Sequence, residues 1–160
     1  DLVETSLVKI NNDIFSQEHS MGNLMPFIKY FLPEAKVVPI IFHHDLKKEE
    51  GVLLSQIFSR WVQEKEAVII ASIDFSHYLT NKEAQEKDQE TLKVIENRNI
   101  ARLLKMGDDH LDSPGAMMTL LLTMEKLDVQ DFRILGHTNS GILLGNDLIE
   151  TTSYFTFVFR

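Results

Sequence analysis

Between positions 48 and 64 the apolar residues recur every three or four positions, which is the period of an amphipathic helix. The members of this stripe are Leu54, Ile57, Phe58, Trp61 and Val62. Two apolar runs rich in Val and Ile, at 36–42 and 67–73, flank the helix and predict strands. Because Pro39 cannot donate to a ladder, the first run belongs at a sheet edge or a strand end. A strand, a long crossover helix and a second strand favour parallel pairing.

Similar patterns predict the other elements. The predicted helices are 24–32, 81–97, 100–106 and 114–124. The predicted strands are 132–137 and 152–159. We therefore expect an α/β fold with a mostly parallel or mixed central sheet flanked by helices, built as a single domain over residues 1–160.

The composition is that of an ordinary globular protein, with 44% hydrophobic and 25% charged residues. The 24 acidic residues exceed the 16 basic ones, and the net charge of -8 argues against nucleic acid or a membrane surface as a partner. The absence of cysteine excludes disulfides, thiolate metal ligands and a cysteine nucleophile. No apolar stretch approaches the roughly 20 residues that span a bilayer. We expect a cytoplasmic protein.

The segment Asp74-Phe75-Ser76-His77 places a carboxylate, a hydroxyl and an imidazole at the end of the 67–73 run. Ligands and catalytic groups gather at the carboxyl ends of strands in open α/β sheets. Imidazole transfers protons near neutral pH, and a neighbouring carboxylate can orient it. His77 with Asp74 is thus a candidate acid/base pair. An alternative is equally compatible with the spacing: Asp74 and Ser76 tie down a loop, and His77 caps a backbone carbonyl.

Two other histidine clusters stand outside this segment. Glu18-His19-Ser20 precedes a helix that begins near Asn23, so a helix-capping role competes with a catalytic one. His43-His44-Asp45 has the composition of a metal site, but adjacent residues on an extended segment point to opposite faces, which favours a solvated loop. A hydrolase that uses Ser76 or Ser20 is disfavoured, because a hydroxyl and an imidazole this close in sequence rarely converge.

Asp112 stands one residue before Ser113-Pro114, the predicted start of a buried helix. Free amides at a helix start stabilise negative charge, so we expect a lowered pKa for this carboxyl. A carboxylate there could be a hard ligand for iron, manganese or magnesium. It could equally be a helix-end residue with no ligand role. His110 and His137 fall in polar turns and receive no role.

Four segments in this order carry a family resemblance. They are Glu18-His19-Ser20 leading through Leu24-Met25-Pro26-Phe27 to Val38-Pro39-Ile40; Asp74-Phe75-Ser76-His77-Tyr78; Asp88; and Asn139-Ser140-Gly141 to Gly145-Asn146. Together they resemble the Memo family, also called AmmeMemoRadiSam system protein B. The resemblance covers essentially the whole chain, and it implies a fold similar to that of LigB-type non-haem iron extradiol dioxygenases.

The resemblance implies roles for individual residues. His77 occupies the position of the family's pocket histidine, which corresponds to the acid/base histidine of the dioxygenases, and His19 belongs to a segment beside that pocket. Asp112 stands where the family usually has a cysteine metal ligand, so a hard oxygen ligand replaces a soft one. The family's other two metal-ligand histidines lie in Ala-His-x-Gly and Pro-x-Ser-His segments, and this sequence contains neither.

This departure leads to two hypotheses. In the first, the chain is an incomplete or metal-free pocket domain without autonomous activity or a cofactor of its own, and it binds a small molecule or a peptide. It is then a piece of a longer protein or a reduced family member. In the second, Asp112 and residues outside this chain hold iron or another divalent metal in a dioxygenase-like oxidoreductase with His77, Asp74 and His19 as catalytic residues. We expect the pocket at the strand ends near 73 and 137, and self-association through an exposed sheet edge.

Overall fold

Two groups of elements make up residues 2–160, the part of the chain that the computed structural model describes. The first unit ends at Phe42, and the second runs from His43 to Arg160. The first unit contains the 3-10 helices Val3–Thr5 and Asp13–Ser16 and the helices α1 (His19–Gly22) and α2 (Met25–Phe31). Leu2 is the one buried side chain among those described in this unit. Three aromatic side chains of α2 are exposed: Phe27, Tyr30 and Phe31.

The second unit carries the remaining elements. In chain order they are α3 (Lys48–Lys65), β1 (Phe75–Leu79), α4 (Asn81–Glu96), α5 (Ile100–Leu103), α6 (Pro114–Lys126), β2 (Phe132–Asn139), α7 (Ser140–Leu144) and β3 (Thr151–Phe159). The predicted helices and the two predicted C-terminal strands are confirmed, although α5 ends earlier than expected. None of the helices in residues 2–160 is long and apolar enough to cross a membrane.

The three strands form one sheet in the order β1-β3-β2, and both neighbouring pairs are antiparallel. β2 and β3 pair along nearly their whole length, from Phe132 opposite Phe159 to Asn139 opposite Ser153. β1 pairs with the start of β3, and α4 packs against both of these strands. The α/β class is confirmed, and the pairing among the described strands is antiparallel rather than parallel.

The strand predictions at 36–42 and 67–73 are wrong, because neither run is a strand in the structure. The strand in this region is β1, which begins only at Phe75. Strand propensity reflects packing against a neighbouring strand, and neither run has such a neighbour within residues 2–160. As a result, Val68 and Ile70 are exposed despite their apolar character. A β-branched run can therefore have a high strand propensity and still not form a strand, because no neighbouring strand among the described residues pairs with it.

The core of the second unit joins β1 to α4, α5 and α6. Its buried members are Phe75, Ile95, Leu103, Met106, Leu111, Met117, Met118 and Leu121. Phe155 and Phe157 of β3 pack against Phe75 with their rings nearly perpendicular to it, at centroid distances of 4.8 and 5.7 Å. Gly51 lets α3 lie close to α6, because a Cβ there would fall 2.4 Å from Cε of Met118. α3 and α6 therefore pack closely at this position.

Candidate functional site

β1 is an irregular strand, and the irregularity decides where its side chains lie. Phe75, His77 and Leu79 face three consecutive residues of β3, so β1 twice uses two residues where β3 uses one. Such bulges break the alternation of faces and redirect side chains. Phe75 and Ser76 are consequently both buried, although they are adjacent. Tyr78 has a φ of 58°, an uncommon left-handed conformation for an aromatic residue.

The segment that precedes α6 lies beside β1 and is tied to it through the backbone. Leu111 forms an antiparallel bridge with Phe75. Three amide hydrogen bonds extend it: Ser76 N–H donates to His110 O (3.0 Å), His77 N–H to Asp108 O (2.8 Å) and Asp112 N–H to Asp74 O (3.0 Å). Asp74 and His77 therefore lie next to the segment that carries Asp108 and Asp112.

His110 anchors this segment to α4. Its side chain is buried, with Nδ1 2.8 Å from Oδ1 of Asp109 and Nε2 3.1 Å from Oε2 of Glu90. Lys87 completes the cluster through an ion pair of 2.9 Å with Asp109. Burial opposes ionisation of Asp109, but hydrogen bonds from Lys87 and His110 outweigh it and lower the pKa of that carboxyl. Sequence patterns predicted no role for His110, which here ties the segment that carries Asp112 to α4.

The candidate residues Asp74, His77 and Asp112 form one electrostatic group. Oδ2 of Asp74 lies 3.7 Å from Nε2 of His77, whose side chain is 16% exposed. Asp112 is an exposed residue, yet protein atoms crowd its carboxyl and this burial raises its pKa. The charges of Asp74 and Asp108 raise the pKa of Asp112 further, while His77 and a backbone hydrogen bond from Asp74 act to lower it. The expected lowering by the helix start is therefore wrong, because crowding and like charges outweigh it.

Nδ1 of His77 is buried and has no hydrogen-bond partner within the described part of the chain. Buried polar atoms in folded proteins nearly always have a partner. The other predicted catalytic histidine, His19, is an exposed residue at the first position of α1 in the first unit. Glu18 caps that helix by accepting a hydrogen bond of 2.8 Å from Ser20 N–H, as the capping alternative predicts.

A buried polar network that the sequence did not predict lies behind this group. The fully buried Asp88 accepts a hydrogen bond of 2.7 Å from Ser76 Oγ, and its other oxygen lies 2.7 Å from Nε2 of His137. The His137 ring stacks on Phe155 at 4.0 Å. Because Ser76 Oγ donates to Asp88 in this network, the structure gives no support to Ser76 as a nucleophile activated by His77. The sequence did contain a signal for this network, because Asp88 falls on the same helical stripe as Ala84 and Thr91, which is the buried face of α4.

His43, His44 and Asp45 form a second cluster of metal-ligating side chains. The backbone turns here, with Leu46 N–H donating to His43 O at 3.1 Å. One ligand atom from each of the three side chains lies within 4.8 Å of the others. Our expectation that adjacent residues point to opposite faces is wrong, because the segment is a turn rather than an extended strand. All three residues are exposed, as expected for a loop.

The two clusters share a cavity of about 370 Å³. His44 and Asp45 line it from the turn, and Asp108 and Asp112 line it from the segment before α6. Among the described residues, His43-His44-Asp45 is the one group that offers three converging His or carboxylate ligands. Asp74, His77 and Asp112, which we call the Asp112 group, do not offer three converging ligand atoms.

Comparison with known proteins decides the family. The model of the family described as Memo-like protein matches residues 2–157. The chain belongs to the Memo-like family. A MEMO1 family protein of Caldivirga maquilingensis is 29% identical over 151 residues, which cover 91% of this chain and 52% of the relative. A MEMO1 family protein of Methanosarcina mazei is 32% identical over 136 residues, which cover 81% of this chain and 50% of the relative.

A third relative, the MEMO1 family protein of Thermotoga maritima, is 28% identical over 143 residues, which cover 88% of this chain and 50% of the relative. The chain thus spans about half the length of the Memo relatives it matches. The family resemblance seen in the sequence is confirmed. The roles of individual residues stay predictions.

Proposed function

We propose that this chain is an incomplete metal-pocket domain of the Memo family, in which Asp112 is a carboxylate ligand and His77 is a pocket imidazole. The supporting observation is the docking of the segment before α6 onto β1. It places Asp112 N–H 3.0 Å from Asp74 O and His77 N–H 2.8 Å from Asp108 O. Residues far apart in sequence are thus brought to one small region.

The chemistry of these donors fits a hard divalent metal such as iron or manganese. Carboxylate oxygens suit such ions, and imidazole is a common companion ligand. Burial and, after it, the charges of Asp74 and Asp108 raise the pKa of Asp112, and a bound cation would offset those like charges. Asp112 and His77 supply at most two ligands where three are usual. We infer that the remaining ligands come from outside residues 2–160.

In the complete form, the bound ion supplies Lewis-acid or redox chemistry. Asp74, 3.7 Å from His77, is suited to orient its imidazole and to stabilise its charged form. Nε2 of His77 faces that carboxylate and is therefore the nitrogen at which Asp74 would stabilise a proton. An iron-dependent oxidoreductase similar to the LigB dioxygenases is the alternative, favoured by the oxygen ligand at position 112. A non-catalytic pocket that binds a small molecule or a peptide is also consistent with this geometry.

The test measures Mn²⁺ and Fe²⁺ retained after chelation, in a His43→Ala/His44→Ala background so that the turn does not contribute. Residues 1–160 alone should retain no stoichiometric metal. A longer version that carries the family's two upstream histidine motifs should retain one ion per chain. In that version Asp112→Asn should abolish retention, whereas Glu64→Gln, on the exposed surface of α3, should not.

Two results would overturn the proposal. One is stoichiometric metal held by residues 1–160 alone in this background. The other is retention by the longer version that survives Asp112→Asn. A pocket that binds its ligand equally well with His77→Ala would favour the non-catalytic binding module over the oxidoreductase.

Self-association is a further part of the proposal. β2 lies at one edge of the sheet and exposes the apolar side chains of Ile134 and Leu135. An edge strand with exposed apolar residues can pair with another chain. A dimer by mass in solution, weakened by Leu135→Lys, would support it, and a monomer would contradict it. The cytoplasmic location also stays a prediction, to be checked by cell fractionation.

A further inference from the structure

We infer that the turn at residues 43–46 is a second metal site, in which His43, His44 and Asp45 bind a divalent transition ion of the zinc class. This site is separate from the Asp112 group and does not depend on the proposed function. Two imidazoles and one carboxylate form a common ligand set for zinc and for iron(II), with positions left open for water or substrate. We name these three residues the turn triad.

The distances within the turn triad are close to those a metal requires. Nε2 of His44 lies 3.3 Å from Oδ1 of Asp45, and Nδ1 of His43 lies 3.8 Å from Oδ2 of Asp45. Tetrahedral ligands at zinc bond lengths of about 2.0–2.1 Å are roughly 3.4 Å apart. The first distance already matches this value. The two distances run to different oxygens of Asp45, so binding through one oxygen requires rotation of these exposed side chains.

The local structure prepares His43 as a ligand. Asp45 N–H donates to Nδ1 of His43 at 3.2 Å, which requires an unprotonated Nδ1 facing Asp45. A metal needs the same lone pair, and it would replace this long hydrogen bond. The two imidazole rings stack at 4.3 Å, so both sit on the same side of the turn. Binding requires the rings to turn out of this stacked arrangement, because nearly parallel imidazoles do not direct their lone pairs at one ion.

The surroundings favour a cation. Asp108 and Asp112 line the same cavity as His44 and Asp45, and the chain as a whole is acidic. Negative charge around a cavity raises the local concentration of cations. Two imidazoles select transition metals over magnesium and calcium, which prefer all-oxygen ligands. The inference therefore predicts zinc binding that excess magnesium does not displace.

The experiment is isothermal titration of residues 1–160 with Zn²⁺ in the presence of excess Mg²⁺. We expect one site, and weakening of at least about tenfold with His43→Ala, His44→Ala or Asp45→Asn. Glu49→Gln is the matched control for Asp45→Asn. It removes an exposed carboxylate nearby on α3 without removing a ligand, and it should leave the affinity within about twofold. Titration with Co²⁺ adds a second readout, because its visible absorption reports bound imidazole and changes when a ligand is lost.

Two outcomes would overturn the inference. One is unchanged zinc affinity in the His43→Ala/His44→Ala double variant. The other is zinc binding that Asp112→Asn abolishes while the double variant retains it. This second result would assign the zinc to the Asp112 group and so end this inference. The triad is exposed, so its variants should fold, and an unchanged circular dichroism spectrum would check this.

Discussion

Each of the two clusters at the cavity lacks one property of a complete metal site. The Asp112 group is held in place by backbone hydrogen bonds to β1 and by the buried His110, but it lacks a third ligand within the described residues. The turn triad has three ligands, but little besides its own turn holds it. The comparison shows that rigidity and completeness are separate properties of a site. Substitutions behind the Asp112 group should therefore change stability, and those in the turn triad should change metal binding.

The largest effect should come from His137→Phe. Phenylalanine preserves the stacking on Phe155, but among the described residues it leaves the fully buried Asp88 with Ser76 as its one hydrogen-bonded side-chain partner. An uncompensated buried carboxylate is costly, and we expect a loss of about 2–4 kcal/mol in the free energy of unfolding, measured by urea denaturation. Asp88→Asn/His137→Phe removes the stranded charge and should recover part of the loss. Equal stability of His137→Phe and the unmodified chain would show that the network does not stabilise β1.

His110→Ala should have the next largest effect. It removes the contact with Glu90 that ties the segment before α6 to α4, together with a contact to Asp109 inside that segment. We expect a loss of about 1–3 kcal/mol in the free energy of unfolding, measured by urea denaturation. Hydrogen bonding to His110 lowers the pKa of Glu90. For Asp109, burial acts to raise the pKa, but hydrogen bonds from Lys87 and His110 outweigh burial and lower it.

Carboxyls with lowered pKa values stabilise the fold at neutral pH and lose that contribution as the pH falls through those values. His110→Ala should therefore flatten the stability profile below about pH 4. A variant that retained the full acid dependence would contradict the anchoring role of His110. Lys105→Gln, an exposed change near the segment but outside this cluster, is the control.

Asp112→Asn should have a smaller effect of opposite sign. Burial and the charges of Asp74 and Asp108 raise the pKa of Asp112, so its ionised form destabilises the fold. Its favourable contribution is complete below the unfolded pKa and is lost as the pH rises through the folded pKa. The variant should thus have a higher melting temperature at pH 7, with the gain disappearing below about pH 4. Glu64→Gln should show no such pH-dependent gain, and an Asp112→Asn variant less stable at pH 7 would refute the electrostatic interpretation.

The smallest effect on stability belongs to the turn triad. His43→Ala/His44→Ala alters two exposed side chains, and exposed substitutions usually change the free energy of unfolding by less than about 0.5 kcal/mol. Thermal unfolding without metal should therefore match that of the unmodified chain. With zinc present, only the unmodified chain should gain stability, because a ligand that binds the folded state raises its melting temperature. A large loss without metal would mean that the turn is held by more than its local contacts.

Periodicity was sufficient to predict the helices, because the stripe of α3 and the capped starts of α4 and α6 are local signals. It failed at 67–73, where strand formation depends on a neighbour that the sequence pattern cannot supply. The pairing of Asp74 and His77 was local and was predicted. The contacts of Asp112 with that pair depend on the bridge between Phe75 and Leu111, which no spacing reveals.

The turn triad also shows that sequence patterns do not reveal which side chains converge. His43, His44 and Asp45 were noticed as a cluster, but their convergence depends on the hydrogen bond between Leu46 N–H and His43 O. The role of Asp88 was partly visible, since a carboxylate on a buried helical stripe requires a partner. Its partners, Ser76 and His137, lie on strands whose register only the fold determines.

The close approach of α3 and α6 at Gly51 has a consequence for oxidative damage. The terminal methyl group of Met118 fills the space that a side chain at Gly51 would occupy, and Met118 is fully buried. Adding an oxygen to its sulfur would make the group larger and polar, and the two helices would have to separate to accommodate it. In a chain without cysteine, the oxidation rate of this thioether would therefore measure how often the two helices separate.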